Sequence, residues 1–304
     1  MSPTRVGYLG PPGSFSHEAA RTLKDADLVA CDSFADILAA VAAGELDQGL
    51  VPLENALEGT VSAVLDGLLF DHDLFIQREL LLPIHLDLLA RPGTRLEDVA
   101  FVTSYVHALG QCRRFLHDHQ LATSPAASTS QAARDVAESD QPWAAVASPL
   151  AGEIFGLVPL ASSIEDNPDN VTKFVVIARD HVAAPTGVDR TTIVCFQDAD
   201  RPGSLYAILG RFAARDLNLT RLESRPTKTG LGDYCFIIEF EGHVADEVVA
   251  DCLVDLQAHL ARVKFLGSYP VTGAIAHERR VEVSAAREEA EAWVASLRAR
   301  VAGR

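Results

Sequence analysis

The sequence predicts an α/β protein in two parts: a two-lobed region of alternating strands and helices, then a small βαββαβ sandwich. Three observations carry this expectation. From Arg5 to Arg179, short apolar runs alternate with stretches of helical period. The segment His181-Val182-Ala183-Ala184-Pro185-Thr186-Gly187, small and polar with Pro and Gly, then breaks the pattern as a linker would. Beyond it, about 80 residues read strand, helix, strand, strand, helix, strand, the order of a ferredoxin-like sandwich.

In the first part, strands are expected at 5–9, 48–52, 75–77, 84–90, 99–103, 143–147 and 174–178, with helices near 17–24, 34–43, 61–70, 108–117 and 131–138. The alternation argues for a mainly parallel sheet. Two groups of strands, split near 77–86 and rejoined near 164–174, imply two lobes with a cleft between them. In the second part, 191–196 is β-branched and apolar. The stretch 203–215 places Leu205, Ile208, Leu209 and Phe212 at helical spacing, and 217–223 alternates like a half-buried strand. Strands at 234–240 and 263–266 flank a helix at 246–259. In the charged, Ala-rich remainder, Trp293, Leu297 and Val301 are spaced for a final amphipathic helix from near Ser284.

Composition narrows the function. The chain has 304 residues, 48% of them apolar, enough for real cores. With 42 acidic against 26 basic residues, the formal charge of −16 argues against nucleic acid as a partner. An anionic ligand would have to be drawn by local positive groups. Cys31, Cys112, Cys195, Cys235 and Cys252 are scattered, without a Cys-x-x-Cys pair, and read as reduced thiols of a cytosolic protein. No apolar run reaches the ~18 residues of a membrane span, and no signal-peptide core follows Met1. The ten histidines show no metal-ligand spacing, so no metal is expected. Gly-x-Ser-x-Gly and Gly-x-Gly-x-x-Gly are both missing, against hydrolase and dinucleotide readings.

The chemistry-bearing blocks sit at strand ends. Asn170-Val171-Thr172-Lys173-Phe174 sets an amide, a hydroxyl and an ammonium before the apolar run 174–177. Ligands of open α/β sheets bind at such ends, although the trio equally suits the ordinary start of a strand. Gly10-Pro11-Pro12-Gly13-Ser14-Phe15-Ser16-His17 is a turn into a helix, where Ser14 or Ser16 is placed to cap and free N–H groups attract anions. In Val51-Pro52-Leu53-Glu54-Asn55-Ala56-Leu57-Glu58-Gly59-Thr60, Glu54 and Asn55 are placed to orient a hydroxylated ligand, while Glu58 and Thr60 read as caps of the next helix. A third junction, Val102 to Cys112, offers Ser104 as another cap. Ser128-Thr129-Ser130 opens a further helix, and Ile164-Glu165-Asp166 precedes Asn170.

Six of these blocks, in order, resemble those of the prephenate dehydratases. Asn170 to Phe174 matches Asn-x-Thr-Arg-Phe with Lys173 for arginine; Ala56 stands where serine is usual, and Tyr105-Val106-His107 departs from the pattern. In the second part, Gly203-Ser204-Leu205 resembles a Gly-Ala-Leu motif, and Glu223-Ser224-Arg225-Pro226 is an intact Glu-Ser-Arg-Pro of ACT regulatory domains.

The resemblance implies a periplasmic-binding-protein-like catalytic domain over 4–181, an ACT domain over 190–271 and a tail over 277–304. It implies conversion of prephenate to phenylpyruvate in phenylalanine biosynthesis, without a cofactor. Thr172 would be catalytic, with Lys173, Phe174, Asn170, Glu54, Asn55, Ser14 and Ser104 binding substrate. L-Phenylalanine would bind as an allosteric ligand at Gly203, Ser204, Leu205, Asn218, Leu219, Glu223, Ser224, Arg225 and Pro226 of a cytoplasmic homodimer or homotetramer. Two other readings stay open: an arogenate dehydratase or non-aromatising prephenate decarboxylase on the same scaffold, and a non-catalytic amino-acid sensor.

Overall fold

The structure, a computed structural model, describes residues 3–197, 201–228, 233–272, 292–294 and 296–297. The chain divides into two compact units. One takes the chain through His72 together with Leu80–Arg179, and the other takes Asp73–Glu79 together with the chain from Asp180.

The first lobe of the first unit is built from β1 (Thr4–Leu9), α1 (Phe15–Arg21), β2 (Ala26–Cys31), α2 (Phe34–Ala43), β3 (Gln48–Asn55), the short β4 (Gly59–Thr60), α3 (Ser62–Asp66, running into a π turn at Gly67–Asp71) and the later part of β5 (Phe75–Pro83), whose residues through Glu79 belong to the second unit. The second lobe holds β6 (Asp87–Ala90), β7 (Phe101–Ser104), α4 (Val106–Gln111), α5 (Arg113–Asp118), β8 (Thr123–Pro125), α6 (Thr129–Glu138), β9 (Trp143–Ala147), α7 (Pro149–Phe155) and β10 (Val158–Ala161). The chain then returns to the first lobe as β11 (Val171–Ala178).

Local chemistry accounts for these boundaries. In α2, Ser33 caps the Asp36 amide, Gly44 ends the helix in the left-handed conformation, and Ile37, Leu38 and Val41 form the buried stripe. The small side chains of β9 let helices pack closely on both faces of the second sheet. Ala144 and Val146 meet α4 and α5, while Ala145 and Ala147 meet α6 and α7.

The sheets are ordered β2-β1-β3-β11-β5, with β4 paired to β3, and β10-β6-β9-β7-β8. The expectation of a mainly parallel sheet is corrected: both are mixed. β1 is parallel to β2 and β3, but β11 runs antiparallel to β3; β9 is parallel to β7 and antiparallel to β6. The reversed strands are the ones that follow a crossing between lobes. The two crossings are themselves tied together, Ile84 N donating to Asn170 O and Ile164 N to Leu86 O, both at 2.8 Å. Two sheets joined by a double crossover form the two-lobed architecture that the sequence predicts.

The second unit is the βαββαβ sandwich: β12 (Asp189–Phe196), α8 (Ser204–Ala213), β13 (Leu219–Pro226), β14 (Tyr234–Glu241), α9 (Glu247–His259) and β15 (Arg262–Pro270). Its antiparallel sheet has the order β13-β14-β12-β15. Both helices cover one face, burying Ile208, Phe212, Val249, Cys252 and Leu256 on Ile193, Ile238 and Phe240. The segment Asp73–Glu79 contacts the same sheet: Lys264 pairs with Asp73 at 3.0 Å, and Phe75 packs on Phe265. Gly267, at φ +140°, permits close approach there, since a Cβ would lie 2.5 Å from the Ile76 carbonyl oxygen. Arg190 lies between two buried carboxylates, 2.7 Å from Glu79 and 3.2 Å from Glu239. Of the C-terminal helix expected from near Ser284, residues 292–294 and 296–297 are helical; the rest of 277–304 lies outside the described residues.

Candidate active site at the lobe junction

The site grows from the pairing of β3 with β11. Thr172 lies opposite Asn55 and Lys173 opposite Glu54, and a bulge then opposes Phe174 to Pro52. Such bulges re-aim side chains beside functional sites. By strand alternation Thr172, Phe174 and Val176 share one face. Phe174 and Val176 pack with Val6, Tyr8, Ala19, Ala20 and Leu23 in the core under α1. Phe174 is 2% exposed and packs in this core, where it seats the strand. Thr172, two residues nearer the strand start, lies where this face meets the polar junction with the second lobe.

At that junction the hydrogen bonds have a defined direction. Asn55 Oδ1 accepts from the backbone amides of Leu57 and Glu58, at 2.9 and 3.0 Å, so the Asn55 Nδ2 group is the donor end. It donates to Asn170 Oδ1 at 2.8 Å and to Thr172 Oγ1 at 2.9 Å. The buried Asn170 in turn donates from Nδ2 to Gln111 Oε1 of α4 at 3.2 Å. Gln111 Nε2 donates to Glu58 Oε1 at 3.2 Å, and the other Glu58 oxygen lies 2.9 Å from His107 Nδ1. Thr172 therefore accepts from Asn55, and no acceptor among the described residues takes its hydroxyl hydrogen. That hydrogen is available to a ligand.

The remaining expected site residues are placed differently from one another. Ser14 caps α1: its Oγ accepts from His17 N at 3.2 Å and donates to Leu9 O at 2.8 Å, so the hydroxyl serves the turn. Ser104 does not cap a helix, which corrects that expectation. It is fully buried at the end of β7 and donates to the Val146 carbonyl of β9, while Tyr105 occupies the N-cap position of α4. Glu58 and Thr60 are not caps either. Glu58 reaches across to the second lobe, Thr60 pairs in β4, and α3 starts without a side-chain cap. Ser128 does cap α6, accepting from Gln131 N at 3.0 Å.

The Pro12-Gly13 turn is held from the second lobe, Ser130 donating to Pro12 O and Ser148 to Gly13 O. Gly13 is at φ +89°, and a Cβ there would lie 2.9 Å from Ser130 Oγ, so glycine is needed. His17 stacks on Tyr8, and its Nδ1 accepts from Gly13 N at 3.1 Å. Burial, and secondarily Arg21, hold the His17 pKa below its ordinary value. Sequence reasoning assigned no role to Gln111 or His107. Both lie in a block whose chemistry becomes visible only when β11 brings Asn170 beside it.

In the second unit, Gly203 stands at φ +85° as the N-cap of α8, and Ser204 Oγ donates to Gln197 Oε1 at 3.3 Å. Leu205 is half-buried on that helix, and Asn218 is exposed beside the edge strand β13, which begins at Leu219. Along β13, Glu223 and Arg225 alternate with the exposed Ser224 and Pro226, so the motif is divided between two faces. Arg221 Nη2 donates to Glu223 Oε2 at 2.7 Å.

These features define a two-lobed α/β protein with a polar junction between its lobes and an appended ACT-type unit. Comparison with known proteins is more specific. The prephenate dehydratase family model matches residues 6–182, and the ACT domain model matches 191–257. The chain belongs to the prephenate dehydratase family. A prephenate dehydratase of Amycolatopsis methanolica is 39% identical, covering 97% of this chain and 98% of its own. The crystal structure of an Arthrobacter aurescens prephenate dehydratase in complex with L-Phe superposes with a TM-score of 0.82 at 39% identity, covering 97% of this chain and 99% of that one. A quorum-quenching acylase, GqqA, shares the fold with a TM-score of 0.80 at 29% identity, over 88% of this chain and 98% of its own. Among the described residues, no helix is long and apolar enough to cross a membrane.

Proposed function

We propose that the protein converts prephenate to phenylpyruvate, carbon dioxide and water, with Thr172 assisting departure of the ring hydroxyl. The ring carboxylate leaves as carbon dioxide, its bonding electrons enter the ring, and the C–O bond opposite breaks as the ring becomes aromatic. The departing hydroxide takes up a proton and leaves as water. A threonine hydroxyl is a weak acid, so Thr172 acts as an oriented donor whose hydrogen bond is strongest in the transition state, and solvent makes up the proton. The observation that carries this reading is the Asn55 bond to Thr172 Oγ1, which occupies the oxygen as acceptor and leaves its hydrogen to be donated. Lys173, opposite Glu54, supplies positive charge for a substrate carboxylate in a strongly acidic protein.

Phenylalanine is the proposed allosteric ligand. It would bind at Gly203–Leu205 with Asn218, Leu219 and residues of 223–226, in a homo-oligomer whose partner subunit contributes to the exposed edge of β13. An acylase reading lacks similar support. The Ser14 hydroxyl is engaged by the α1 turn, the Ser104 hydroxyl by Val146, and neither is paired with a histidine or carboxylate.

The test is purified protein with prephenate, the product identified by its absorbance and phenylalanine titrated. Thr172→Ala is expected to lower kcat by about 10²–10³, the loss typical of one preorganised donor. Near-normal turnover by that variant would move catalysis away from Thr172. Formation of phenylalanine from arogenate, or of a non-aromatic acid from prephenate, would replace the proposed reaction.

A further inference from the structure

The polar groups at the lobe junction form a closed ring. Asn55 donates to Asn170, Asn170 to Gln111, Gln111 to Glu58, and the Glu58 backbone amide returns a hydrogen to Asn55. Every member of the ring both donates and accepts, in one sense around it, so each bond polarises the next. The sense is not arbitrary. Glu58 as a carboxylate can only accept at its side chain, and its backbone N–H can only donate. The carboxylate sets the amide of Gln111 and through it that of Asn170, while the Leu57 and Glu58 backbone amides set that of Asn55, which donates to Asn170 and turns its second N–H towards Thr172. Three members lie on the first-lobe side, whereas Gln111 belongs to α4 of the second lobe.

We propose that Gln111 is a positioning residue for Thr172. It couples the placement of the second lobe to the direction in which the threonine hydroxyl donates, and Glu58, steadied by His107, fixes the orientation of Gln111 itself. The inference rests on the catalytic reading of Thr172. Its physical content is that an amide rotated or withdrawn at position 111 leaves Asn170 Nδ2 without an acceptor. Asn170 can then turn over, and Asn55 Nδ2 loses the Asn170 oxygen that helps hold it in place against Thr172 Oγ1. The effect falls on kcat, because the hydroxyl direction matters most as the C–O bond breaks.

The experiment is a double-mutant cycle on the full chain with prephenate. Gln111→Met, similar in length and without hydrogen-bonding groups, is expected to lower kcat about tenfold with KM changed less than about threefold, the size of one lost oriented hydrogen bond. In the Thr172→Ala background the same substitution is expected to change kcat by less than about twofold, because its action passes through the missing hydroxyl. Gln111→Glu, which repels Glu58, is expected to be as poor as Gln111→Met. Glu58→Gln, which keeps an acceptor oxygen for Gln111, is expected to retain most of the activity. A tenfold loss from Gln111→Met in both backgrounds would overturn the proposal, since Gln111 would then act independently of Thr172. So would unchanged kcat in a variant with normal melting temperature. If Gln111→Met fails to fold, the Glu58→Gln and Glu58→Ala pair carries the same cycle. Thr172→Ala with full turnover is a separate outcome, and it removes the catalytic reading rather than the ring.

Discussion

The two units bury polar groups in contrasting ways. At the lobe junction of the first unit the inner groups are neutral: two asparagine amides, a glutamine amide and a threonine hydroxyl, with the half-exposed Glu58 at the rim. In the second unit they are charged. Arg190 is held between Glu79 and Glu239, Glu239 also accepts from Tyr269 at 3.3 Å, and Glu79 accepts from the Thr272 amide at 2.9 Å. A neutral hydrogen bond contributes about 1 kcal/mol net and can be exchanged for a similar one with a ligand or water. Removing one member of a buried ion cluster leaves a charge without its counter-ion. The first arrangement suits a junction that must adjust around a substrate, and the second suits a staple.

That contrast breaks most visibly at Arg190. Arg190→Ala should destabilise the second unit by about 3–5 kcal/mol, because Glu79 and Glu239 would remain buried without their shared cation. Arg190→Met in combination with Glu79→Gln and Glu239→Gln should recover much of the loss. Chemical denaturation of these variants gives the measurement. A loss under 1 kcal/mol for Arg190→Ala would mean that water already reaches both carboxylates. Gly267→Ala probes the same staple through the backbone. A methyl group there meets the Ile76 backbone in a conformation that disfavours side chains, so a loss of about 1–3 kcal/mol is expected. An unchanged denaturation midpoint would show that the Asp73–Glu79 segment can withdraw freely from β15.

Lys173→Arg sharpens the other half of the comparison. Lysine presents a compact, mobile charge, whereas arginine clamps a carboxylate with a planar two-pronged fork. If Lys173 holds a prephenate carboxylate, the arginine variant should lower KM several-fold, on the order of 1 kcal/mol of ground-state binding, with kcat nearly unchanged. Steady-state kinetics decide the point, and an unchanged KM would remove Lys173 from the carboxylate contact.

How much of this was legible follows from where the information lies in the chain. The 34–43 helix was readable because its cap, apolar stripe and terminal glycine are all local. The 143–147 strand was readable as a short apolar run. β2 was missed because it is an edge strand that buries none of its residues fully, so its hydrophobic signal is faint. α7 was missed although Ser148-Pro149 is a usable start signal, with serine as cap and proline at the first helical position. Ser104 misled because the end of a strand and the cap of the next helix are adjacent residues, and only burial distinguishes them. At the site, Asn55 meets Thr172 across 117 positions and Asn170 meets Gln111 across 59. No spacing rule reaches that far, so the resemblance supplied Asn55, Asn170 and Thr172, while the part played by Gln111 and the geometry of all four emerge only from the fold.

The smallest expected effect concerns two neighbours on α1 with opposite pH signatures. His17 is held below its ordinary pKa of 6.5 by burial and then by Arg21, and its Nδ1 accepts from Gly13 in the neutral form. Since the unfolded chain binds that proton more readily, the His17 contribution is complete above pH 6.5 and is lost as the pH falls below it. Glu18 is raised above its ordinary 4.5, chiefly by burial, and its Oε2 is buried without a hydrogen-bond partner. Here the folded state holds the proton longer, so stability is complete below pH 4.5 and declines as the pH rises through the folded value. Between these limits the two slopes oppose each other. Melting temperatures of His17→Gln should therefore fall more steeply with rising pH than those of the parent, and Glu18→Gln should show a steeper gain. If both variants keep the parental slope, the α1 turn gives no titrating contribution to stability.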